Sequence, residues 1–484
     1  MSRKVVIVVW DACRPDFITP QETPTLARLV AAGVQYTRAY TVFPSETRVA
    51  TASFATGAYP EVHGITANRI YRPDVDSAAP LNTGAREDLQ RIEAAASGRL
   101  LDAPTLGQAI VRAGGTFLVA SAGSPGNAYL LGHGSSGLGS RTVNWGFVLP
   151  ESEQERLRGR YGPAPAAAVP NTAVCDYIFK LFCEELLPAL RAPGPAAAVL
   201  WLSDPDHTMH AAGMGSPEAR RALQENDARL GMLLERLAQL GLAVDGGQDR
   251  GCDLIIASDH GFSTIRRGEP PEAVLRETGL AEGIDYVAAA GGIWLAAHAH
   301  HALAEIVRLL QACPSCGNVL VRPGANGEVP PGAFSLDVVC AAHPRAASIR
   351  YSPSWDHAAN QYGVPGRVFV RSANTGTHGS LSPYDMRITL VLSGPSFKRG
   401  LACAVPAGIV DIAPTALHLL GLHPIGQGRV LAEALTGGPD PAALPVHEER
   451  LRAEAAFDGV HYSQELRRRR VGRHIYLEAG EARR

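Results

Sequence analysis

Three apolar runs frame the chain. Val5 to Trp10 is unbroken and mostly valine, and Ala196 to Leu202 and Leu254 to Ala257 repeat the pattern. Short continuous runs without alternation read as strands buried on both faces, as in a parallel sheet covered by helices. Each run gives way to an aspartate, at Asp11, at Asp204 and Asp206, and at Asp259. Between them lie helical patterns. Pro24 to Ala32 predicts a helix with Thr23 as cap candidate, Pro24 at its first position and Gly33 past its end. Ser45 to Thr56 predicts a loop running into a helix stopped by Gly57. Pro104 to Ala113 and Tyr177 to Leu190 predict two more, and Ser216-Pro217 opens a long amphipathic helix to about Leu240. Thr116 to Ala120 and Ile388 to Ser393 read as strands, and Asp411 to Leu420 as a helix ended by Gly421. The alternation gives the α/β class.

The remaining stretches are less regular. Ser121 to Pro170 is rich in Gly, Ser, Ala and Pro and predicts long surface loops. More than a hundred residues of mixed signal separate His260 from His378. We therefore expect a core of residues 1–264 and 374–445, an inserted cap subdomain over 265–373, and a C-terminal extension, 446–484, packed on the core. A length of 484 residues suggests two or three domains, but the candidate site residues come from both ends of the chain and belong in one core. Lys plus Arg (45) and Asp plus Glu (47) nearly cancel, which removes any general attraction to a nucleic-acid polymer or a membrane surface. The Arg467 to Arg470 run then reads as a solvated strand or hairpin. No stretch approaches a membrane span of about 18 apolar residues, and the N-terminal run is too short for a signal peptide. The eight scattered cysteines read as reduced thiols of a cytoplasmic protein. Cys313-Pro-Ser-Cys316 has no second pair at zinc-finger spacing and reads as a loop. His298, His300 and His301 have no carboxylate pattern nearby and read as exposed.

Six residues at the ends of these elements carry metal-binding chemistry. Asp206 and His210, four apart on a helical turn, share a face and can grip one ion. Asp259 and His260 are adjacent, and Gly261 allows a turn that brings both to one site. Asp11 supplies a further carboxylate there, and His378, in Gly376-Thr377-His378-Gly379, supplies a third ligand for the Asp206–His210 pair. Three carboxylates and three imidazoles suit two close zinc ions, with Mn²⁺ or another divalent metal as alternatives. Thr47, where a helix opens, is either a cap or a nucleophile, and a helix N-terminus favours a phosphoryl group in either case. Ser45 is the competing hydroxyl. Asn68 is a neutral donor able to reach a phosphoryl oxygen.

Together VVIVVWDACRPDF, FPSETRVATASFATGAYPEVHGI followed by TAN, SDPDHTMH, ASDHGF and GTHG resemble the alkaline phosphatase superfamily, most closely its type I phosphodiesterase and nucleotide pyrophosphatase branch. The later GIVDIAPTALHLLGL is similar to a late segment of that fold. The resemblance covers about residues 4 to 80, 196 to 263 and 376 to 435. It implies an alkaline phosphatase-like architecture, a large mixed, mostly parallel sheet sandwiched between helices. It assigns Asp11, Thr47, Asp259 and His260 to one zinc and Asp206, His210 and His378 to the other. It makes Thr47 the nucleophile, through a phosphothreonyl intermediate, with Asn68 on the phosphoryl group. The implied activity is phosphodiester or nucleotide pyrophosphate hydrolysis of a small molecule. A phosphomonoesterase or phosphonate hydrolase on the same site is the alternative, and a non-catalytic binding protein the remote one. A sulfatase is disfavoured, because threonine cannot become formylglycine. One departure stands out. Where relatives tend to follow the nucleophile with Phe-Pro-Asn-His, this chain has Arg48-Val49-Ala50-Thr51, which removes a base-stacking side chain. Arg48 either adds positive charge for substrate binding or pairs elsewhere.

Overall fold

The computed structural model describes residues 4–137, 139–246, 251–324 and 326–484. Its centre is a nine-stranded sheet in the order Leu401–Cys403, Val34–Tyr36, Leu390–Ser393, Cys252–Ala257, Lys4–Trp10, Ala196–Leu202, Thr116–Ser121, Arg141–Asn144 and Val148–Leu149. Five of its eight neighbouring pairs are parallel and three antiparallel, so it is the mixed, mostly parallel sheet expected. The three apolar runs form adjacent strands, and every residue in them is buried. Alternation sends Val5, Ile7 and Val9 to one face, with Phe54, Ile110 and Leu417 from the helices Thr47–Thr56, Leu106–Arg112 and Ile412–Leu419. Val6, Val8 and Trp10 face the other way, with Leu26, Ile178 and Leu233 from the helices Pro24–Ala32, Thr172–Leu181 and Pro217–Gln239. Each such aliphatic side chain contributes about 1.5–3 kcal/mol by leaving water. The register pairs Trp10 with Leu202 and Val9 with Ala257, so the three strands end level and deliver their following loops to one edge.

Two local expectations are corrected. Residues 121–170 are not long surface loops. They hold the helix Pro125–Leu131, two short strands of the main sheet, and the helix Gln154–Tyr161. Ser124 caps the first helix, and Asn127 Nδ2 donates to Thr51 Oγ1 at 2.8 Å. A Cβ on Gly126 would lie 2.0 Å from the Thr83 carbonyl oxygen, so small residues here serve close packing. Thr23 does not cap its helix. Asp227 of the long helix does so instead, accepting from Thr25 N and Leu26 N, both at 2.8 Å.

Between the two halves of the core lie a five-stranded sheet, in the order Tyr286–Ala289, Gly292–Leu295, Ile349–Pro353, Cys316–Val321 and Phe334–Ser335, and the helix Leu303–Ala312. A four-stranded sheet joins this cap-like region to the core. Trp355–Ala359 and Pro365–Val370 lie beside Ser263–Arg267 and Gly376–Thr377, which flank the site residues. His298, His300 and His301 are exposed. The last residues form three long antiparallel strands, Val446–Phe457, Val460–Val471 and His474–Arg483. Arg468 and Arg469 pair there with Glu449 and Glu478 at 2.6 and 2.8 Å, and Arg470 pairs with Glu449. This sheet touches both regions. Gln464 Nε2 donates to Val319 O at 3.0 Å, and Tyr476 OH donates to Asp411 at 2.9 Å. Among the described residues no helix is long and apolar enough to cross a membrane.

Candidate active site

The level ends of the three central strands bring distant residues together. Asp11 follows the first strand, with its N–H on Leu202 O at 3.0 Å, and its own carbonyl accepts from Asp206 N at 3.1 Å. Asp204 Oδ1 accepts from Thr208 N and Thr208 Oγ1, at 3.1 and 2.8 Å. That fixes the helix Asp206–Ala212, on which Asp206 Oδ1 and His210 Nε2 stand 3.4 Å apart. Asp259 and His260 follow the third strand, and both are fully buried. Their shared direction needs Gly261, though not for a left-handed turn. A Cβ there would sit 1.9 Å from Tyr384 O, while Gly261 N donates to Asp385 O at 2.7 Å. Glycine is required by the close approach of a neighbouring backbone.

His260 is the hub. Its Nε2 lies 3.1 Å from Asp259 Oδ2, 3.5 Å from Asp11 Oδ1 and 3.0 Å from Thr47 Oγ1. The His378 ring stacks on it at 3.7 Å, and His378 Nε2 is 3.6 Å from Asp206 Oδ1. The Nδ1 atoms of His210, His260 and His378 each face a backbone carbonyl, of Gly376, Gly261 and Ser45, all at 2.8 Å. This orients the three Nε2 atoms toward the carboxylates, the arrangement that outer hydrogen bonds impose on metal-binding histidines. The compact donor sets are Asp11, Asp259 and His260, and Asp206, His260 and His378. His210 joins the second through Asp206 and lies at its margin, with its ring centre 5.3 Å from that of His378.

The electrostatics ask for positive charge. Burial, then Asp259 and Asp206, push the Asp11 carboxyl well above its ordinary value. Burial would lower the His260 imidazole, but Asp259 and Asp11 outweigh it and lift the group to about 10. His378 is driven well down by burial and by His260. Asp11 Oδ1, Asp206 Oδ1 and Asp259 Oδ2 are buried without a hydrogen-bond partner. Three orphaned carboxylate oxygens in one cluster, faced by imidazole nitrogens, fit divalent cations, because buried acceptors otherwise find donors.

Thr47 is the first residue of its helix, and Glu46 occupies the cap position. Its hydroxyl caps nothing and points to His260. Ser45 is committed elsewhere, donating to Ser380 O at 2.7 Å. Asn68 Oδ1 accepts from Arg48 N at 3.1 Å, which leaves its Nδ2 for the pocket. Sequence reasoning missed three participants. Trp201 Nε1 donates to Asp11 Oδ2 at 3.0 Å. Glu46 accepts from Asn68 N and pairs with Arg350 Nη1 at 3.4 Å. Arg350 comes from the strand Ile349–Pro353, and no spacing signal ties it to Glu46. Thr47, Arg48, Asn68, Asp206 and His378 line a cavity of about 410 Å³, together with Arg350, Tyr351 and Arg371 from the cap-like region.

Comparison with known proteins gives the family and the fold. Residues 5–380 match the family described as type I phosphodiesterase / nucleotide pyrophosphatase. Human ectonucleotide pyrophosphatase/phosphodiesterase family member 7 is 26% identical over 462 residues, 92% of this chain and 85% of that one. Human family member 1 is 24% identical over 251 residues, which cover 49% of this chain and 21% of that longer protein. In structure, murine ectonucleotide pyrophosphatase / phosphodiesterase 5 superposes with a TM-score of 0.60 at 19% identity, over 90% of this chain and 100% of its own. A mutant of alkaline phosphatase PafA superposes at 0.63 with 14% identity, over 90% and 99%. The fold is alkaline phosphatase-like, and the chain belongs to the type I phosphodiesterase/nucleotide pyrophosphatase family, a family of phosphoester hydrolases.

Proposed function

We propose that this protein is a two-metal hydrolase of small phosphoesters, of the phosphodiesterase/nucleotide pyrophosphatase type, working through a phosphothreonyl intermediate. One observation carries the reading. The hydroxyl of Thr47, at the start of a helix, is hydrogen-bonded to His260 Nε2 at 3.0 Å, inside a cluster holding three unpartnered buried carboxylate oxygens. Asp11, Asp259 and His260 would hold one cation, and Asp206, His210 and His378 the other. The mixed Asp/His set favours zinc. Such ions supply Lewis-acid charge and lower the pKa of nearby hydroxyls.

The chain's own groups do the rest. The N-terminus of the helix Thr47–Thr56 faces the phosphoryl group with its partial positive charge. The Thr47 oxygen forms a bond to phosphorus as the ester P–O bond breaks, and the leaving group departs on the side lined by the cap. Asn68 Nδ2, aimed by the bond from Arg48 N to Oδ1, donates to a non-bridging oxygen. Water then cleaves the phosphothreonine. A cytoplasmic setting is supported by eight free thiols, six of them buried.

The test is Thr47→Ala. Turnover of bis(p-nitrophenyl) phosphate should vanish while elemental analysis still finds two metals per chain. Undiminished turnover removes Thr47 from the mechanism.

A further inference from the structure

Arg48 has no partner that its position requires. Among the described residues its guanidinium makes no hydrogen bond or ion pair, and its Nε is buried without an acceptor. The side chain lines the cavity beside Thr47. Burial lowers its pKa, against the pull of Asp11, Glu46, Asp206 and Asp259. Glu46 is the nearest of these in sequence and the obvious counter-ion, but it is already engaged by Arg350 and by Asn68 N. Glu46 is thus held by Arg350, and Arg48 feels the carboxylates of the cluster without pairing with any of them.

We propose that Arg48 makes this site a phosphomonoesterase as well, by binding the phosphoryl oxygen that a diester would have esterified. The inference rests on the reading of Thr47 as nucleophile. A diester presents two oxygens free of ester bonds, and a monoester presents three. One oxygen faces the carboxylate and imidazole cluster. A second falls to Asn68 Nδ2. The third exists only in a monoester, and the Arg48 guanidinium is the donor without an acceptor beside it. Charge points the same way. A monoester is dianionic, and one added positive charge stabilises a dianion about twice as strongly as a monoanion at equal distance. Arginine also suits the task geometrically, because its planar fork matches two phosphoryl oxygens.

The experiment compares p-nitrophenyl phosphate with bis(p-nitrophenyl) phosphate in wild type, Arg48→Met and Arg48→Lys. The ratio of kcat/KM, monoester over diester, should fall about 10- to 100-fold in Arg48→Met, the size of one charge-assisted hydrogen bond. It should recover in part in Arg48→Lys. In parallel, calorimetry on the metal-loaded proteins measures the dissociation constants of inorganic phosphate and dimethyl phosphate. The preference for phosphate should shrink by the same factor in Arg48→Met. A ratio within threefold of wild type in both measurements overturns the proposal. If Arg48→Met does not fold, the same comparison in Arg48→Lys decides, since a guanidinium fork that matters cannot be replaced without loss. If wild type hydrolyses neither compound, the catalytic reading falls, and the phosphate preference alone decides whether Arg48 binds the third oxygen.

Discussion

Replacing Trp201 with Phe should loosen the metal site without touching any residue proposed to hold an ion. Trp201 is fully buried in the strand Ala196–Leu202, beside the first strand, and its indole N–H donates to Asp11 Oδ2 at 3.0 Å. The other oxygen of Asp11 is unpartnered and lies 3.5 Å from His260 Nε2. The indole therefore occupies one carboxylate oxygen and turns the second toward Asp259 and His260. Phenylalanine keeps a ring against Phe54, which Trp201 now meets edge-on at 6.3 Å, and removes only the donor. A hydrogen bond to a charged group contributes about 1.5–3 kcal/mol, and losing an outer partner of a metal site typically costs about 10- to 100-fold in affinity. Competition against a chromophoric chelator should show the zinc dissociation constant of Trp201→Phe raised about 10- to 100-fold. The smaller ring also leaves a void, and urea unfolding of the metal-free proteins measures that cost separately. An affinity within threefold of wild type would mean that the indole does not orient Asp11.

Two further outcomes test the packing around the site. Gly261→Ala should destabilise the fold by about 3–5 kcal/mol, since overpacking costs about 1–3 kcal/mol and the bonds to Asp385 O and Tyr384 O about 1 kcal/mol each. A chemical-denaturation midpoint unchanged from wild type would refute the 1.9 Å approach to Tyr384 O. His63 is buried, takes the Ile65 N–H on Nδ1 at 3.1 Å and so donates from Nε2 to Ser53 Oγ at 2.9 Å. Burial, with His343 and Arg345, drives its pKa from 6.5 to about 3. The unfolded chain thus binds a proton that the fold refuses, and stability should fall as pH drops from 6.5 toward 3, by about 1.4 kcal/mol per unit. His63→Gln should flatten that slope in denaturation measured between pH 6.5 and 4. An equal slope in both proteins would show that His63 is not held neutral.

The sequence made the centre of the fold legible because its strands are covered on both faces. Val5 to Trp10 and Ala196 to Leu202 could be read almost to the residue, as no partly exposed position breaks their hydrophobic run. Helices with local start and stop signals, such as Pro217–Gln239 behind Ser216, were equally plain. Local signals failed where the partner is remote. Thr23 looks like a cap, yet Asp227, about two hundred residues on, does the capping. Arg141–Asn144 is a strand of the main sheet with four residues and no alternation, held by its parallel neighbour. The candidate site could be proposed from the sequence because Asp11, Asp206 and Asp259 lie within four residues of the ends of buried runs. The groups around it, Trp201, Glu46 and Arg350, act through tertiary contacts that leave no spacing in the sequence.

Those contacts explain why the core and the candidate active site are one physical problem. Three carboxylates cluster beyond the C-terminal ends of the three central strands, and each has a buried oxygen without a hydrogen-bond partner. A buried charge without a partner costs several kcal/mol, so a fold that gathers three needs compensation close by. His260 supplies part, lifted to about 10 by Asp259 and Asp11 in spite of its burial, but one imidazolium does not balance three carboxylates. Arg48 adds its charge from the cavity wall without reaching any of them. The backbone carbonyls of Gly376, Gly261 and Ser45 meanwhile hold the Nδ1 sides of all three imidazoles, so every Nε2 is turned inward. With Nδ1 donating to a carbonyl, a neutral imidazole offers Nε2 as an acceptor, so the arrangement sets acceptors against acceptors unless cations sit between them. The level strand ends that build the hydrophobic sheet therefore also create the charge imbalance that a pair of divalent ions would resolve.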